Sequence, residues 1–235
     1  MAHQGLVSIE DGETIRLDSI GKGVDSFPFD RFRYRYVKRA FDISVILLFA
    51  PILPLVFAII CLVVRLSSPG PIFFGHRRIR EHGNSFTMWK FRTMCVNSSN
   101  VLELYLESNP ESRIEWQETH KLKNDPRVSP VGNFLRRTSL DELPQLWNVL
   151  CGSMSLVGPR PITPAEISKY GSLITYYTRV RPGITGLWQV SGRNEISYSQ
   201  RVQLDATYAL EWSLGRDILI LCRTVVSIVR RHGAY

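Results

Sequence analysis

Residues 43–64 form a run of 22 uncharged, mostly aliphatic residues, and a chain that folds around such a run has to hide it from water. As one straight helix it would reach about 33 Å, enough to cross the hydrocarbon core of a bilayer. Two features oppose a simple crossing. Pro51 and Pro54 lie near the middle of the run, where proline removes a backbone donor and clashes with the preceding turn. Basic residues also stand at both ends: Arg31, Arg33, Arg35, Lys38 and Arg39 before it, Arg65, Arg77, Arg78 and Arg80 after it. Positive charge collects on one side of a membrane. The expectation is a helix broken at Ala50, Pro51 and Pro54 that dips into one leaflet and returns, with both flanks on the same face.

The charge of the remainder suits such a surface. Residues 1–30 hold six acids against Arg16 and Lys22, a net −4 in a chain whose total is +8, which leaves about +12 on the rest. A basic body with an apolar insert fits an anionic lipid surface or an anionic substrate, and so long an apolar run argues against nucleic acid as the partner. Residues 31–36 alternate arginine with phenylalanine or tyrosine, a composition that settles in the headgroup layer. The four cysteines (Cys61, Cys95, Cys151, Cys222) have no metal-ligand spacing and read as reduced packing residues of a cytosol-facing protein. The apolar run starts too late and runs too long for a secretory leader.

Three segments follow. Residues 1–30 are polar and aperiodic and read as a disordered tail. Residues 31–70 are the basic flank and the apolar helix, stopped by Ser67-Ser68-Pro69-Gly70-Pro71. Residues 71–235 read as one mainly helical domain with a small β-hairpin, an α+β class. Strands at 72–74 and 85–92 flank a polar turn around Gly83. Helices are expected at 100–120 with a break at Asn109-Pro110, in two pieces over 130–150 parted near Thr138 and Ser139, and over 165–180, 199–213 and 216–231. Residues 152–161 and 181–193 read as loops. In the last helix Ile218, Leu221, Cys222, Val225, Val226 and Val229 share one side, and Arg216, Arg223 and Arg230 share another. Such a helix either lies in a membrane interface or faces a core.

The polar chemistry concentrates between residues 124 and 193. Ser139, Leu140, Asp141 and Glu142 fit a capping box with Ser139 as N-cap, and acids at a helix start also complement its dipole. Arg136 and Arg137 lie one turn upstream. Two rigid loops each hold an arginine beside proline, Gly158-Pro159-Arg160-Pro161 and Arg181-Pro182-Gly183. The arginine fork pairs bidentately with phosphate. Two acids and several arginines could hold a diphosphate and its divalent cation, and a carboxylate can attack phosphorus to form an acyl phosphate once charge is neutralised. Surface ion pairing is the plainer explanation for any one of these arginines taken alone.

At these residues the chain resembles the bacterial sugar transferase family, the monotopic polyprenyl-phosphate phosphoglycosyl transferases. The likeness rests on Lys90-Phe91-Arg92-Thr93-Met94, Asn124-Asp125-Pro126-Arg127, RRTSLDELPQL at 136–146, VGPRP at 157–161 and RPGITGLWQVSGRN at 181–194, and it extends over roughly residues 38–231. It implies transfer of hexose-1-phosphate from a UDP-hexose to undecaprenyl phosphate with release of UMP. That is the first membrane step of exopolysaccharide, capsule or O-antigen assembly, at the cytoplasmic face of a bacterial inner membrane. By the same resemblance Asp141 is the nucleophile and a Mg²⁺ contact, and Glu142 is its proton-handling partner. Arg136, Arg160 and Arg181 are phosphate-binding residues, and residues 183–194 lie near the nucleotide-sugar. The fold implied is a monotopic membrane protein with a Pro-broken re-entrant helix, interfacial amphipathic helices and a catalytic domain over residues 71–235; a homodimer is left open.

The stretch 104–127 resembles members that start galactose- or glucose-based polymers. The chain departs from the family pattern at Ala50-Pro51, where Ser-Pro is usual, at His76, where Gln is frequent, and at Arg80, where Gly is frequent. Pro54 would add a second break, and His76 reads as a turn or surface residue. Two other readings use the same residues: a membrane-bound phosphohydrolase with water as acceptor, and a non-enzymatic basic membrane adaptor.

Overall fold

The computed structural model describes residues 6–8, 14–16, 32–119, 122–192 and 196–229. Most of the tail at 1–30 lies outside them, as do Arg31, Arg193, Asn194 and Arg230; within the tail, β1 (Leu6–Ser8) and β2 (Thr14–Arg16) pair antiparallel.

A π-helical turn over Arg33–Val37 runs into α1 (Lys38–Phe49), and after Ala50, Pro51 and Ile52 the chain continues as α2 (Leu53–Ser67). The two arms meet at 72°. The break lies where the prolines were expected to put it, but their roles differ. Ala50 N–H donates to Leu47 O at 3.1 Å and Ile52 N–H to Phe49 O at 3.0 Å, so the donor that Pro51 lacks falls in the turn itself. Pro54, expected to add a second break, does not. It sits in the first turn of α2, where a backbone N–H has no intrahelical partner to lose. Among the described residues no single helix is long and apolar enough to cross a membrane, and the bent pair passes that test only as a pair. Leu48, Ile52, Leu55, Leu62 and Leu66 on it are exposed, more apolar surface than a soluble monomer ordinarily leaves open.

The root of α1 is fastened by polar contacts. Lys38 Nζ lies 2.7 Å from Asp217 Oδ2 in α11 (Leu214–Val229), and both groups are buried. Tyr208 OH, from α10 (Tyr198–Leu210), donates to the same carboxylate at 2.8 Å, and Trp212 Nε1 donates at 3.0 Å. One turn along α1, Asp42 accepts Leu156 N–H at 3.3 Å. Arg39 donates to Val149 O and, at 2.6 Å, to Leu150 O, two of the carbonyls that end α6 (Gln145–Leu150). Beyond the other end of the bent pair, Arg92 donates to Pro69 O at 2.6 Å and Ser68 O at 2.8 Å.

The hairpin of β3 (Phe73–Ile79) and β4 (Ser85–Phe91) pairs Phe73 with Phe91 and Ile79 with Ser85. β3 therefore continues well past Phe74, and His76 is a strand residue opposite Met88 rather than a turn residue. The reversal falls at His82 and Gly83, both left-handed. α3 (Ser98–Ser108) and α4 (Pro110–Thr119) part at Asn109 as expected. α5 (Pro130–Arg137) begins where Ser129 Oγ accepts Gly132 N–H at 2.9 Å, and it crosses so close to Thr93 that a Cβ on Gly132 would lie 2.1 Å from Thr93 O.

Residues 165–180, expected as one helix, form two short ones, α7 (Ile167–Tyr170) and α8 (Ile174–Tyr177), interrupted at Gly171 with φ 52°. The two expected loops each carry a strand. β5 (Ser155–Val157) and β6 (Gly183–Thr185) pair in parallel, and α9 (Leu187–Val190) follows β6. The backbones approach so closely that a Cβ on Gly183 would lie 2.1 Å from Gly158 N. Val149, Met154, Val157, Tyr208 and Ile220 pack around this pair as the main core. On α11 the buried positions are Asp217 and Ile220; of the expected stripe Leu221 packs against the main core, while Ile218, Cys222, Val225 and Val226 face outward. Cys151 is exposed as well, and neither it nor Cys222 is the packing residue expected.

Lys38→Met should lower stability by about 3 kcal/mol or more, because it leaves the Asp217 carboxylate buried without its cation. Adding Asp217→Asn should restore most of that loss. Thermal unfolding of the two variants beside the wild type checks both statements.

Candidate active site

Six pieces of chain meet at one cavity of ≈ 630 Å³: residues 71–74 at the start of β3, the end of β4 with residues 92–98, α5, the turn at 139–142, the loop after β5, and α9. Its polar lining includes Lys90, Arg136, Asp141, Glu142 and Arg160. Asp141, Glu142, Arg136 and Arg160 are thus brought together. Arg181 is not among the lining residues. Its Nε lies 3.3 Å from Glu81 Oε1, and its N–H donates to Tyr34 OH at 3.0 Å, tying the hairpin tip to the root of α1.

The expected capping box does not form. Ser139 is left-handed, at φ 57° and ψ 16°, and its side chain caps nothing. This conformation costs a residue with a Cβ on the order of 1 kcal/mol. The chain then makes a single 3₁₀ turn, Leu140–Glu142, with Glu142 N–H donating to Ser139 O and Leu143 N–H to Leu140 O, each at 3.2 Å. Both acids consequently face the cavity in succession, and the partner they find is on the hairpin. Lys90 Nζ lies 2.6 Å from Glu142 Oε1 and 3.4 Å from Asp141 Oδ2. Burial pushes the Asp141 carboxyl above its ordinary range; Glu142 adds to that push, and Lys90 and Arg136 oppose it.

The arginines are aimed by what holds their stems. Arg136 Nε donates to Thr93 Oγ1 at 2.9 Å, and its guanidinium has no further hydrogen-bond partner among the described residues. Burial draws its pKa down, against the pull of Asp141. Thr93 is fixed in turn: Ser129 N–H donates to Thr93 O at 3.2 Å, and Cys95 N–H to Arg127 O at 2.9 Å. Arg127 grips Asp125 with Nε at 2.7 Å and a terminal nitrogen at 2.6 Å and lies over Trp116 at 4.9 Å. The Asn-Asp-Pro-Arg motif is therefore a brace behind the cavity wall. Arg160 stands 5.2 Å from the Trp188 ring, and Arg201 stands 5.7 Å from the same ring. Beneath them Asp205 is fully buried and accepts Tyr170 OH at 2.7 Å; burial pushes its carboxyl up to about 7.

No individual role for Lys90 or Thr93 is legible in the sequence; both line the cavity together with Trp188 and Gln189. Trp188 and Gln189 do fall in the stretch assigned to the nucleotide-sugar. Lys90 and Thr93 were visible only as members of a motif, since a lysine on a strand carries no local mark of its partner. Among the described residues no three of His, Cys, Asp and Glu cluster as a metal-only cage. The pair Asp141 and Glu142 nonetheless suits Mg²⁺, which is commonly held by one or two carboxylates together with substrate phosphates.

Comparison with known proteins gives a consistent picture. Residues 33–231 match the profile of the family described as bacterial sugar transferase. The chain is 49% identical over 207 residues to the UDP-galactose-lipid carrier transferase of Erwinia amylovora, covering 86% of this chain and 42% of that protein. It is 49% identical over 204 residues to the undecaprenyl-phosphate galactose phosphotransferase of Salmonella typhimurium, with the same coverage of 86% and 42%. It is 46% identical over 202 residues to the exopolysaccharide production protein ExoY of Rhizobium meliloti, covering 84% of this chain and 88% of that protein. The chain thus spans less than half the length of the first two relatives and most of the third.

The Asp205 carboxyl, raised from 3.8 to about 7, stabilises the fold while it stays protonated, and that contribution is lost as pH climbs from the unfolded value to the folded one. Asp205→Asn, which cannot ionise, should gain on the wild type across that interval by up to about 1.4 kcal/mol per pH unit and run parallel to it above. Thermal unfolding of both proteins across the interval reads this directly, and parallel curves throughout would contradict it.

Proposed function

This chain belongs to the bacterial sugar transferase family, and from that premise we propose that it transfers hexose-1-phosphate from a UDP-sugar to undecaprenyl phosphate, releasing UMP. The observation that carries the reading is Asp141, a buried carboxylate at a cavity that also presents Lys90, Arg136 and Arg160. In the first half-reaction an Asp141 oxygen attacks the β-phosphorus of the UDP-hexose, and the bond from that phosphorus to UMP breaks. In the second, a phosphate oxygen of undecaprenyl phosphate attacks the same phosphorus. The acyl-phosphate bond breaks, Asp141 returns as carboxylate, and the sugar leaves on a lipid diphosphate.

Each neighbouring side chain has work in this sequence. Arg136 and Arg160 offer planar donors to the phosphates, whose negative charge otherwise repels the attacking carboxylate. Lys90 bridges Asp141 and Glu142; when a diphosphate arrives, its ammonium can follow the developing charge and leave Asp141 unhindered. Glu142 then serves as the acid–base partner that orients the acceptor phosphate. Mg²⁺, held by Asp141 with Glu142, would supply further charge neutralisation at the diphosphate.

The names of the Erwinia and Salmonella relatives support galactose as the sugar, with glucose the second candidate, and that of the Rhizobium relative supports a role in exopolysaccharide production. The 72° bend and the exposed apolar surface of α1 and α2 support entry into one leaflet with both ends returned to the cytoplasmic face. The outward stripe of α11 would lie in the same interface. Residues 71–235 then form a catalytic domain resting on the bilayer, with its cavity at headgroup height.

The test supplies UDP-galactose and UDP-glucose with and without undecaprenyl phosphate. The wild type should form a sugar-bearing lipid diphosphate only when the lipid is present. Asp141→Asn should lose that activity by roughly 10³-fold or more while still sedimenting with membranes. Net release of sugar phosphate without lipid would favour a hydrolase, and full activity in the variant would overturn the assignment.

A further inference from the structure

The cavity is not polar throughout. Pro71, Phe73, Phe74, Phe91 and Val96 also line it. Phe91 is buried, but Phe73, Phe74 and Val96 are 39%, 51% and 59% exposed, so packing within the chain covers only part of each. Their surroundings lead back to the bent helix pair. Phe73 stacks on Phe57 of α2 and on Phe91, with ring centroids 5.7 and 5.5 Å apart, and Phe57 meets Phe91 tilted at 4.9 Å. Val96 presses on the turn that ends α2, where a Cβ on Gly70 would lie 2.6 Å from its Cγ2, and Arg92 locks that turn to the end of β4. At the other limit of the wall, Phe74 pairs across the hairpin with Lys90, whose ammonium touches both acids. An apolar surface therefore runs from the end of an exposed apolar helix to the edge of a cationic, carboxylate-bearing floor.

A ligand complementary to both parts has an anionic head and a hydrocarbon tail. We propose that Phe73, Phe74 and Val96, with Pro71, form the subsite for the head-proximal isoprene units of the lipid-phosphate acceptor, an inference that rests on the transfer proposed above. Of the nucleotide-sugar only the uracil ring could lie on an aromatic side chain, whereas a hydrocarbon tail can cover Pro71 and Val96 as well as the phenylalanines. A second apolar groove of ≈ 500 Å³ lies between α2 and α5, lined by residues such as Ile59, Val63, Val131 and Phe134. Every residue lining it is apolar, so it offers no partner to a phosphate head.

The experiment measures transfer to undecaprenyl phosphate in mixed micelles, together with exchange of labelled UMP into the UDP-sugar in the absence of lipid. Phe74→Ser and Val96→Ser should each raise the KM for undecaprenyl phosphate about tenfold, with the KM for UDP-sugar and the UMP exchange moving little. Phe74→Leu should recover most of the loss. Both side chains are largely solvent-facing, so their truncation does not threaten folding. An unchanged lipid KM in both variants would overturn the proposal. So would loss of exchange in step with transfer, or a rise in lipid KM confined to Phe134→Ser in the neighbouring groove. The wild-type exchange separately tests the covalent route: its absence, with the lipid KM still shifted in the variants, would remove the aspartyl step and leave the subsite standing.

Discussion

The buried contact of Lys38 with Asp217, 2.7 Å long and shared with Tyr208 and Trp212, is the point from which the rest of the molecule is hung. An ion pair taken out of water loses several kcal/mol of hydration per ion, and it stabilises only when its remaining hydrogen-bonding capacity is met. Here two further donors meet it. The arrangement suits a helix whose far end is apolar on the outside. Such a helix gains little from burying more of its apolar surface against its own domain, because its proposed destination is equally apolar. A polar root gives it a fixed angle and depth at the domain while leaving its tip free to enter another phase.

That root is also wired to the chemistry. Arg39 holds the last carbonyls of α6, the helix that directly follows the turn carrying Asp141 and Glu142. Arg92 holds the turn after α2, two residues beyond Lys90 on the same chain. Each limb of the bent pair is therefore anchored close in sequence to one side of the Lys90–dyad contact, and Arg92 itself lines the cavity. The proposed reaction joins a water-soluble diphosphate to a lipid phosphate, and a cavity anchored beside the bent pair suits two substrates that approach from different solvents. The raised carboxyl of Asp141 belongs to the same compromise: burial that would keep water from the proposed acyl phosphate also makes the carboxylate more costly to ionise.

Much of this was legible in the sequence where the signal is local. Prolines inside an apolar run specify a break, Asn109-Pro110 parts two helices, and the helix expected from residue 130 begins there. The dyad and two of its arginines were legible through motif and spacing, and they do share a cavity. What escaped was set by contacts distant along the chain. Lys90 meets its acids across 51 and 52 positions, and no periodicity reports that. The three-residue strands β5 and β6 are too short to show alternation. Ser139 has the sequence of an N-cap but is left-handed, in a turn between α5, which crosses close to Thr93, and Leu140, which packs on an apolar cluster. Arg181 looked like its neighbours in composition, yet Glu81 holds it on the hairpin tip.

The central claim is that the sugar phosphate passes through a covalent bond to Asp141. Mass spectrometry of the intact purified protein, mixed with UDP-galactose and magnesium in the absence of lipid and quenched rapidly, tests it most directly. The account predicts an added mass of one hexose phosphate that peptide mapping places on Asp141 and that disappears when undecaprenyl phosphate is supplied. An adduct mapped to any other residue, or UMP released in proportion to enzyme with no adduct formed, would contradict it.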